Sequence, residues 1–278
     1  MKIDPNIDRS IANRYHLAEL IGSGAMGTVY RAEDTLLGGV TVAVKFLSQA
    51  LLTQKMRERF EQEAKICALL GEKSKHIVLV RDYGVDENHI PFYVMELLQG
   101  ESLSDLIDRQ CLSLPRFLNL ARQICLGIEC AHQGILFKDQ LCPIVHRDIK
   151  PSNIFVTRDP SWGELIKILD FGIAKLMESR ESQTHSFMGT LAYASPEQME
   201  GKELDQRSDI YSLGVMLYEM LTQDMPILPE NPNSFGAWYQ AHHEAEPKPF
   251  ERRFKLPDEL KQLIVKCLAK APSDRPQS

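Results

Sequence analysis

The chain has 278 residues, of which 44% are hydrophobic and 25% charged, and its formal net charge is −6. That length suits one large or two packed lobes with ample apolar material for a core. The acidic balance excludes a nucleic-acid binder that works through a general positive field, and no run of about eighteen apolar residues is present to span a bilayer.

The first residues, Met1-Lys2-Ile3-Asp4-Pro5, lack the apolar run of a secretory signal. A cytoplasmic location is therefore expected, with any membrane anchor outside this segment. The six cysteines (Cys67, Cys111, Cys125, Cys130, Cys142 and Cys267) form no C-x-x-C pair and lack a zinc spacing. Most sit in apolar helical runs, so they read as reduced core thiols.

In chain order, Tyr15 to Ile21 and Thr28 to Glu33 read as strands flanking a glycine-rich segment. Val40 to Phe46 is a third strand with β-branched content. A helix is expected from about Thr53 to Leu70, with Phe60, Ala64, Cys67 and Ala68 on one face. Ile77 to Tyr83 and Pro91 to Glu96 complete a five-stranded sheet. From Ser102 onward helix dominates. Phe117, Leu120, Ala121, Ile124, Ile128 and Ala131 form an amphipathic stripe, and Ile210 to Leu221 is apolar almost all round, as a centrally buried helix would be. The expected architecture is α+β, a small β-rich lobe over residues 1–98 and a larger helical lobe over 99–278. No internal repeat or low-complexity tract appears.

Four segments carry chemistry. Gly22-Ser23-Gly24-Ala25-Met26-Gly27 has the glycines that let backbone N–H groups approach phosphate oxygens. The pattern also fits an ordinary turn or a dinucleotide fold, but the latter must open a helix. Here Thr28-Val29-Tyr30-Arg31-Ala32 returns as strand, which favours a hairpin lid. Lys45, ending Val42-Ala43-Val44-Lys45, is either a surface lysine or a cation reaching α- and β-phosphates. Its expected partner is Glu63, which lies beside the apolar stripe of the following helix, whereas Glu58 and Glu61 read as solvated.

The remaining two are His146-Arg147-Asp148-Ile149-Lys150-Pro151-Ser152-Asn153 and Asp170-Phe171-Gly172. Asp148 would orient an acceptor hydroxyl and take its proton, and Lys150 would neutralise a transferring γ-phosphate. Asn153 and Asp170 would hold magnesium across a triphosphate. A lone Asp or Asn is ordinarily a turn residue; five matched positions in one eight-residue string argue otherwise.

With these segments in this order, the chain resembles the eukaryotic-type (Hanks-type) serine/threonine protein kinases, most closely their bacterial members, from about Tyr15 to Arg275. The resemblance implies a two-lobed kinase fold, ATP with Mg2+ (or Mn2+), and protein substrates. It implies that Met95 is the gatekeeper, that Glu96 and Leu98 offer backbone hydrogen bonds to adenine, and that Val29, Ala43 and Phe155 sandwich the ring, with Ile21 beside it. It implies that Glu197 of Ser195-Pro196-Glu197 pairs with Arg275, that Asp209 braces the catalytic loop, and that Thr190 of Gly189-Thr190 contacts Asp148 and Lys150. Lys150 and Gly189-Thr190 point to serine or threonine as acceptor. Ser152 stands where basophilic relatives often carry an acid, which argues against a strong preference for upstream arginine.

Arg147 in this family often pairs with a phosphate on the activation loop. The segment from Lys175 to Met188 is either a flexible hydroxyl-rich loop or an autophosphorylation site at Thr184, with Ser182 and Ser186 beside it; phosphorylation in trans would require a transient homodimer. Gln133 to Ile144 is longer than the compact family connection and reads as a surface excursion or a docking element. Asp159 to Gly163 reads as a turn between strands. The chain stops at Ser278, where the family's last helix should start, so a truncated final helix is expected. A non-catalytic scaffold of the same fold and a small-molecule kinase are the rival readings. Lys45, Glu63, Asp148, Asn153 and Asp170 oppose the first, and the Ser195-Pro196-Glu197 and Gly189-Thr190 segments oppose the second.

Overall fold

A computed structural model describes residues 4–24, 27–48, 52–137, 140–161, 163–171, 191–251 and 254–278. The chain divides into two compact units, Met1–Gln99 and Gly100–Ser278. Each is taken by itself.

The smaller unit is a six-stranded antiparallel sheet in the order β1-β2-β3-β4-β6-β5. Its strands are β1 (Ser10–Ile11), β2 (Tyr15–Gly24), β3 (Gly27–Asp34), β4 (Val40–Leu47), β5 (Val80–Val85) and β6 (Pro91–Glu96). The five expected strands are present, and β1 adds a sixth through two residues paired with His16 and Tyr15. Strand β5 begins later than the apolar run Ile77–Leu79 suggests. The Ile77 N–H is turned back onto Ser74 O, and Leu79 N–H is taken by the Glu96 carboxylate.

Alternation along β4 sorts the two faces of the sheet. Val42, Val44 and Phe46 join Tyr15, Leu17, Tyr30, Ala32, Phe92 and Val94 in one buried cluster. Each such side chain contributes about 1.5–3 kcal/mol by leaving water. Ala43 and Lys45 point to the other face. Helix α1 (Gln54–Lys73) starts at Thr53, whose hydroxyl accepts the Met56 N–H, and buries Phe60, Glu63, Ala64, Ile66, Cys67 and Leu70. Phe60 packs against the Tyr93 ring at 5.0 Å and the Tyr83 ring at 6.4 Å. That contact fixes α1 on the Lys45 face.

The larger unit holds a three-stranded sheet, β7 (Gly100–Ser102), β10 (Ile154–Asp159) and β11 (Gly163–Ile168), with β10 central. Helices α2 (Leu103–Arg109) and α3 (Leu114–Gln133) follow β7. The expected stripe of α3 is buried, and Gln123 within it clamps β11, donating to Glu164 O at 3.0 Å and accepting from Ile166 N–H at 3.1 Å. The segment after α3 forms a hairpin of β8 (Ile135–Phe137) and β9 (Gln140–Cys142), with the paired Leu136 and Leu141 exposed. Asp159 and Gly163 are register partners closing the β10–β11 turn.

Helix α4 (Pro196–Met199) precedes α5 (Gln206–Thr222), which is buried at nearly every position from Ser208 onward. Helices α6 (Phe235–Glu244) and α7 (Asp258–Cys267) complete the unit. Tyr211, Val215, Ile227, Ala241 and Leu268 form a core cluster around α5.

The cysteine expectation needs correction. All six are free thiols, but only Cys67 and Cys267 are buried; Cys111 and Cys125 are exposed. Cys125 falls off the apolar stripe of α3, so an apolar neighbourhood in sequence does not place it inside.

Candidate active site

In the smaller unit, Lys45 is opposite Val29 on β3 and Tyr93 on β6, so the three side chains share one face. Lys45 and Glu63 are 5% and 2% exposed, and their charged atoms lie 3.6 Å apart. Tyr93 supports both. Its hydroxyl donates to Glu63 Oε1 at 3.4 Å, and its ring lies 5.5 Å from the Lys45 ammonium. A cation over a ring face is attracted by the quadrupole, which stabilises Lys45 where water is excluded. Glu58 and Glu61 instead make exposed pairs with Gln54 and Lys65.

The glycine segment continues the β2–β3 hairpin, pairing Gly22 with Val29 and Gly24 with Gly27. Gly27 has φ +153°, and a Cβ there would fall 1.8 Å from Phe46 O. Only glycine fits. Ile21 is exposed, Val29 half-buried and Ala43 buried; Met95 is paired with Ala43 across β4 and β6. Glu96 is tied to Leu79 at both its backbone N–H and its carboxylate, and Leu98 lies just beyond β6, half-buried.

In the larger unit, Asp209 near the start of α5 organises the string from His146 to Asn153. Its carboxylate accepts the N–H groups of His146 (2.7 Å) and Arg147 (2.8 Å) and Nε2–H of His132 (2.8 Å). Three donors on one buried carboxylate stabilise its charge away from water. Arg147 takes a left-handed backbone, φ +68°, a conformation that costs a non-glycine residue of order 1–3 kcal/mol. The ring of His146 is fully buried. Its Nδ1 accepts the Asp148 N–H at 3.2 Å, so Nε2 carries the proton and donates to Leu169 O at 3.0 Å. Burial lowers the His146 pKa, which keeps this ring neutral and its tautomer fixed.

Asp148 is 8% exposed, and its Oδ2 receives Asn153 Nδ2 at 2.9 Å and Lys150 Nζ at 3.1 Å. Asn153 Nδ2 also donates to Asp148 O at 2.8 Å, so one amide fixes backbone and carboxylate together. With its nitrogen turned to Asp148, the amide oxygen of Asn153 faces away from that aspartate. Asn153 and Asp170 each carry a hard oxygen donor of the kind divalent magnesium takes alongside phosphate oxygens, and the Leu169 N–H, one residue before Asp170, donates to Asn153 O at 2.8 Å. Asp170 has φ +45°, and Phe171 after it is fully buried against the His146 ring at 4.6 Å. Phe155 lies on β10, half-buried, opposite Ser102 and Lys167.

Glu197 on α4 is clamped by Arg275 and by the Ser208 hydroxyl. Burial opposes its ionisation, but the hydrogen bonds from Arg275 and Ser208 more than offset this, and its pKa lies below the usual carboxylate range. Gly172, Thr190 and the phosphosite candidates Ser182, Thr184 and Ser186 lie outside the described residues. The parts played by Tyr93, His132 and the His146 ring are not marked in the sequence, because each depends on a partner brought in from a distant segment.

The protein kinase domain family matches residues 15–278. Serine/threonine-protein kinase A of Synechocystis sp. is 66% identical over 279 residues, covering 100% of this chain and 53% of that protein. Serine/threonine-protein kinase pkn3 of Myxococcus xanthus is 34% identical, covering 99% and 50%. Among solved structures, the kinase domain of Mycobacterium tuberculosis PknI superposes with a TM-score of 0.66 at 25% identity, covering 98% of this chain and 94% of that one. The chain belongs to the protein kinase domain family, as a bacterial Hanks-type serine/threonine member with the two-lobed kinase fold. It spans about half the length of the curated relatives it matches.

Proposed function

We propose that this chain transfers the γ-phosphoryl group of ATP to serine or threonine hydroxyls of proteins. The observation that carries the reading is the Asp148 carboxylate, buried yet held by Lys150 and Asn153 on a backbone fixed by Asp209. Phosphoryl transfer asks the protein for placement and charge rather than covalent chemistry, and this arrangement supplies both. The family implies ATP and a divalent metal; Mg2+ is the ion we assign, with Mn2+ as a substitute.

In this mechanism Asp148 accepts a hydrogen bond from the acceptor hydroxyl and takes its proton as the new P–O bond forms and the bond to the β-phosphate oxygen breaks. Lys150 neutralises the transferring group, and Lys45, oriented by Glu63 and Tyr93, binds the α- and β-phosphates. Asn153 and Asp170 would hold the metal, which when bound offsets charge on the phosphate oxygens. The glycine hairpin, with Ile21, Gly22, Gly24, Gly27 and Val29, covers the nucleotide; Ala43, Met95, Glu96, Leu98 and Phe155 receive its base. The family resemblance assigns Thr190 to the same site.

We assign residues 1–98 and 99–278 as the two lobes. The loop sites Thr184, Ser182 and Ser186 are proposed for autophosphorylation through a transient homodimer. Incubating the chain with γ-labelled ATP, Mg2+ and a generic protein acceptor tests the activity. Label recovered as phosphoserine or phosphothreonine supports it; ATP turnover only with a metabolite, or no transfer, overturns it.

A further inference from the structure

One peptide unit in the catalytic string is held from outside by a residue that no motif reading singles out. The peptide joining Arg147 to Asp148 presents its N–H to the His146 ring at 3.2 Å and its carbonyl to the side-chain amide of Gln198 at 2.8 Å. Gln198 lies fifty-one residues further along the chain, on α4.

Its own placement is rigid. The backbone N–H of Gln198 is capped by the Ser195 hydroxyl at 3.3 Å, and its neighbour Glu197 is anchored by Arg275 and Ser208. We infer that Gln198 is a positioning residue for Asp148, locking the Arg147–Asp148 peptide so that the catalytic carboxylate is aimed. The inference rests on the proposed kinase function and names a further residue serving the same site.

Arg147 is left-handed at φ +68°, where a residue with a side chain rarely rests. Asp209 fixes the N–H before Arg147 but not the carbonyl after it. A flip of the following peptide would rotate ψ of Arg147 and φ of Asp148, leave φ of Arg147 at +68°, and take the Asp148 N–H away from the His146 ring, loosening the backbone that carries the catalytic carboxylate. On the carbonyl side, the amide donor of Gln198 opposes that flip; on the N–H side, the His146 ring does. A part-buried carbonyl that loses this donor is held less firmly in its native orientation. Misplacement of a catalytic group by about 1 Å costs up to about a hundredfold in rate.

Three variants separate positioning from bulk stability. Gln198→Glu keeps the shape but, once ionised, loses the donor. Gln198→Ala removes the side chain. Gln198→Lys restores a donor on a stem of similar reach. Initial rates, KM for ATP and melting temperature are measured on the purified chain beside wild type and Asp148→Asn. Amide hydrogen exchange is followed at Arg147, Asp148 and His146.

The inference expects kcat to fall at least about tenfold in Gln198→Glu and Gln198→Ala, with KM for ATP unchanged and partial recovery in Gln198→Lys. It expects the Asp148 amide to exchange faster in Gln198→Glu while the Asp209-held His146 amide stays protected. Unchanged kcat, or equal losses of kcat and melting temperature in all three variants, overturns it. If wild type shows no transfer, the kinase reading has failed, and exchange still decides this one: an Asp148 amide equally protected in wild type and Gln198→Glu overturns the positioning role.

Discussion

Arg275 and Glu197 form a two-pronged pair, Nη1 to Oε1 at 2.7 Å and Nη2 to Oε2 at 3.0 Å, between residues seventy-eight positions apart. The guanidinium also donates to the carbonyls of Ala269, Arg207 and Lys270 and lies 4.9 Å from the Tyr211 ring centre. The pair thus ties the end of the described chain to α4 and α5. Arg275→Ala would leave the Glu197 charge buried and unpaired, a loss of about 3–5 kcal/mol. Arg275→Lys, which keeps the charge but not the fork, should fall between. Urea midpoints measure both; a change below about 1 kcal/mol for Arg275→Ala would contradict this.

His242 on α6 gives the larger unit a pH dependence. The side chain is fully buried, stacked on Trp238 and bonded through Nδ1 to the Tyr211 hydroxyl at 2.7 Å. Desolvation, aided by the Lys270 charge, lowers its pKa from 6.5 to about 3. Between those values the unfolded chain binds a proton that the folded chain refuses, so stability falls as pH drops below 6.5 and is flat above it. By pH 5 the loss from this group is about 2 kcal/mol. Urea unfolding at pH 7.5 and 5.0 should show a smaller pH difference in His242→Gln than in wild type. Equal differences would remove His242 as the cause.

Two glycines of the hairpin should respond differently to alanine. At Gly27 a Cβ would strike Phe46 O, whereas at Gly24 nothing lies within 4 Å. Gly27→Ala should destabilise the small unit by about 1–3 kcal/mol. Gly24→Ala should melt like wild type but bind ATP more weakly, because only the approach of phosphate to backbone is impeded. Melting curves and ATP titrations read the two effects; a Gly27→Ala chain as stable as wild type would show that the hairpin is built otherwise.

Lys45→Met should reduce phosphotransfer about 10²–10³-fold, the usual scale for one preorganised charge. Glu63→Gln should have a smaller effect, since Tyr93 can still donate to the amide oxygen. Initial rates at saturating ATP measure both. Equal rates for Lys45→Met and wild type would remove Lys45 from the phosphate site.

How far these features were legible follows from how local their causes are. The two faces of β4 could be read because alternation is a property of neighbouring residues: Val42, Val44 and Phe46 enter the cluster while Lys45 does not. Helix α5 could be read because Ile210 to Leu221 is apolar almost all round. Strand β1 could not, since two residues carry no periodicity, and β5 was displaced because the run Ile77–Leu79 spends its hydrogen bonds on a turn and on Glu96. In the site, residue type and spacing in the string from His146 to Asn153 suggest the chemistry we propose for it. The supports are another matter. Tyr93 under Lys45, His132 on Asp209 and Gln198 on Arg147 are each placed by packing between distant segments, which no window of sequence records.

The account turns on Asp148 as the group that receives the acceptor hydroxyl, and the most direct measurement is the initial rate of label transfer from γ-labelled ATP to a protein acceptor by wild type and Asp148→Asn. Asparagine keeps the size of the side chain and cannot take the proton. We predict transfer to serine or threonine by wild type, a loss of at least about a hundredfold in Asp148→Asn, and ATP binding retained in both. Transfer at the same rate in both chains, or in neither, would contradict the assignment.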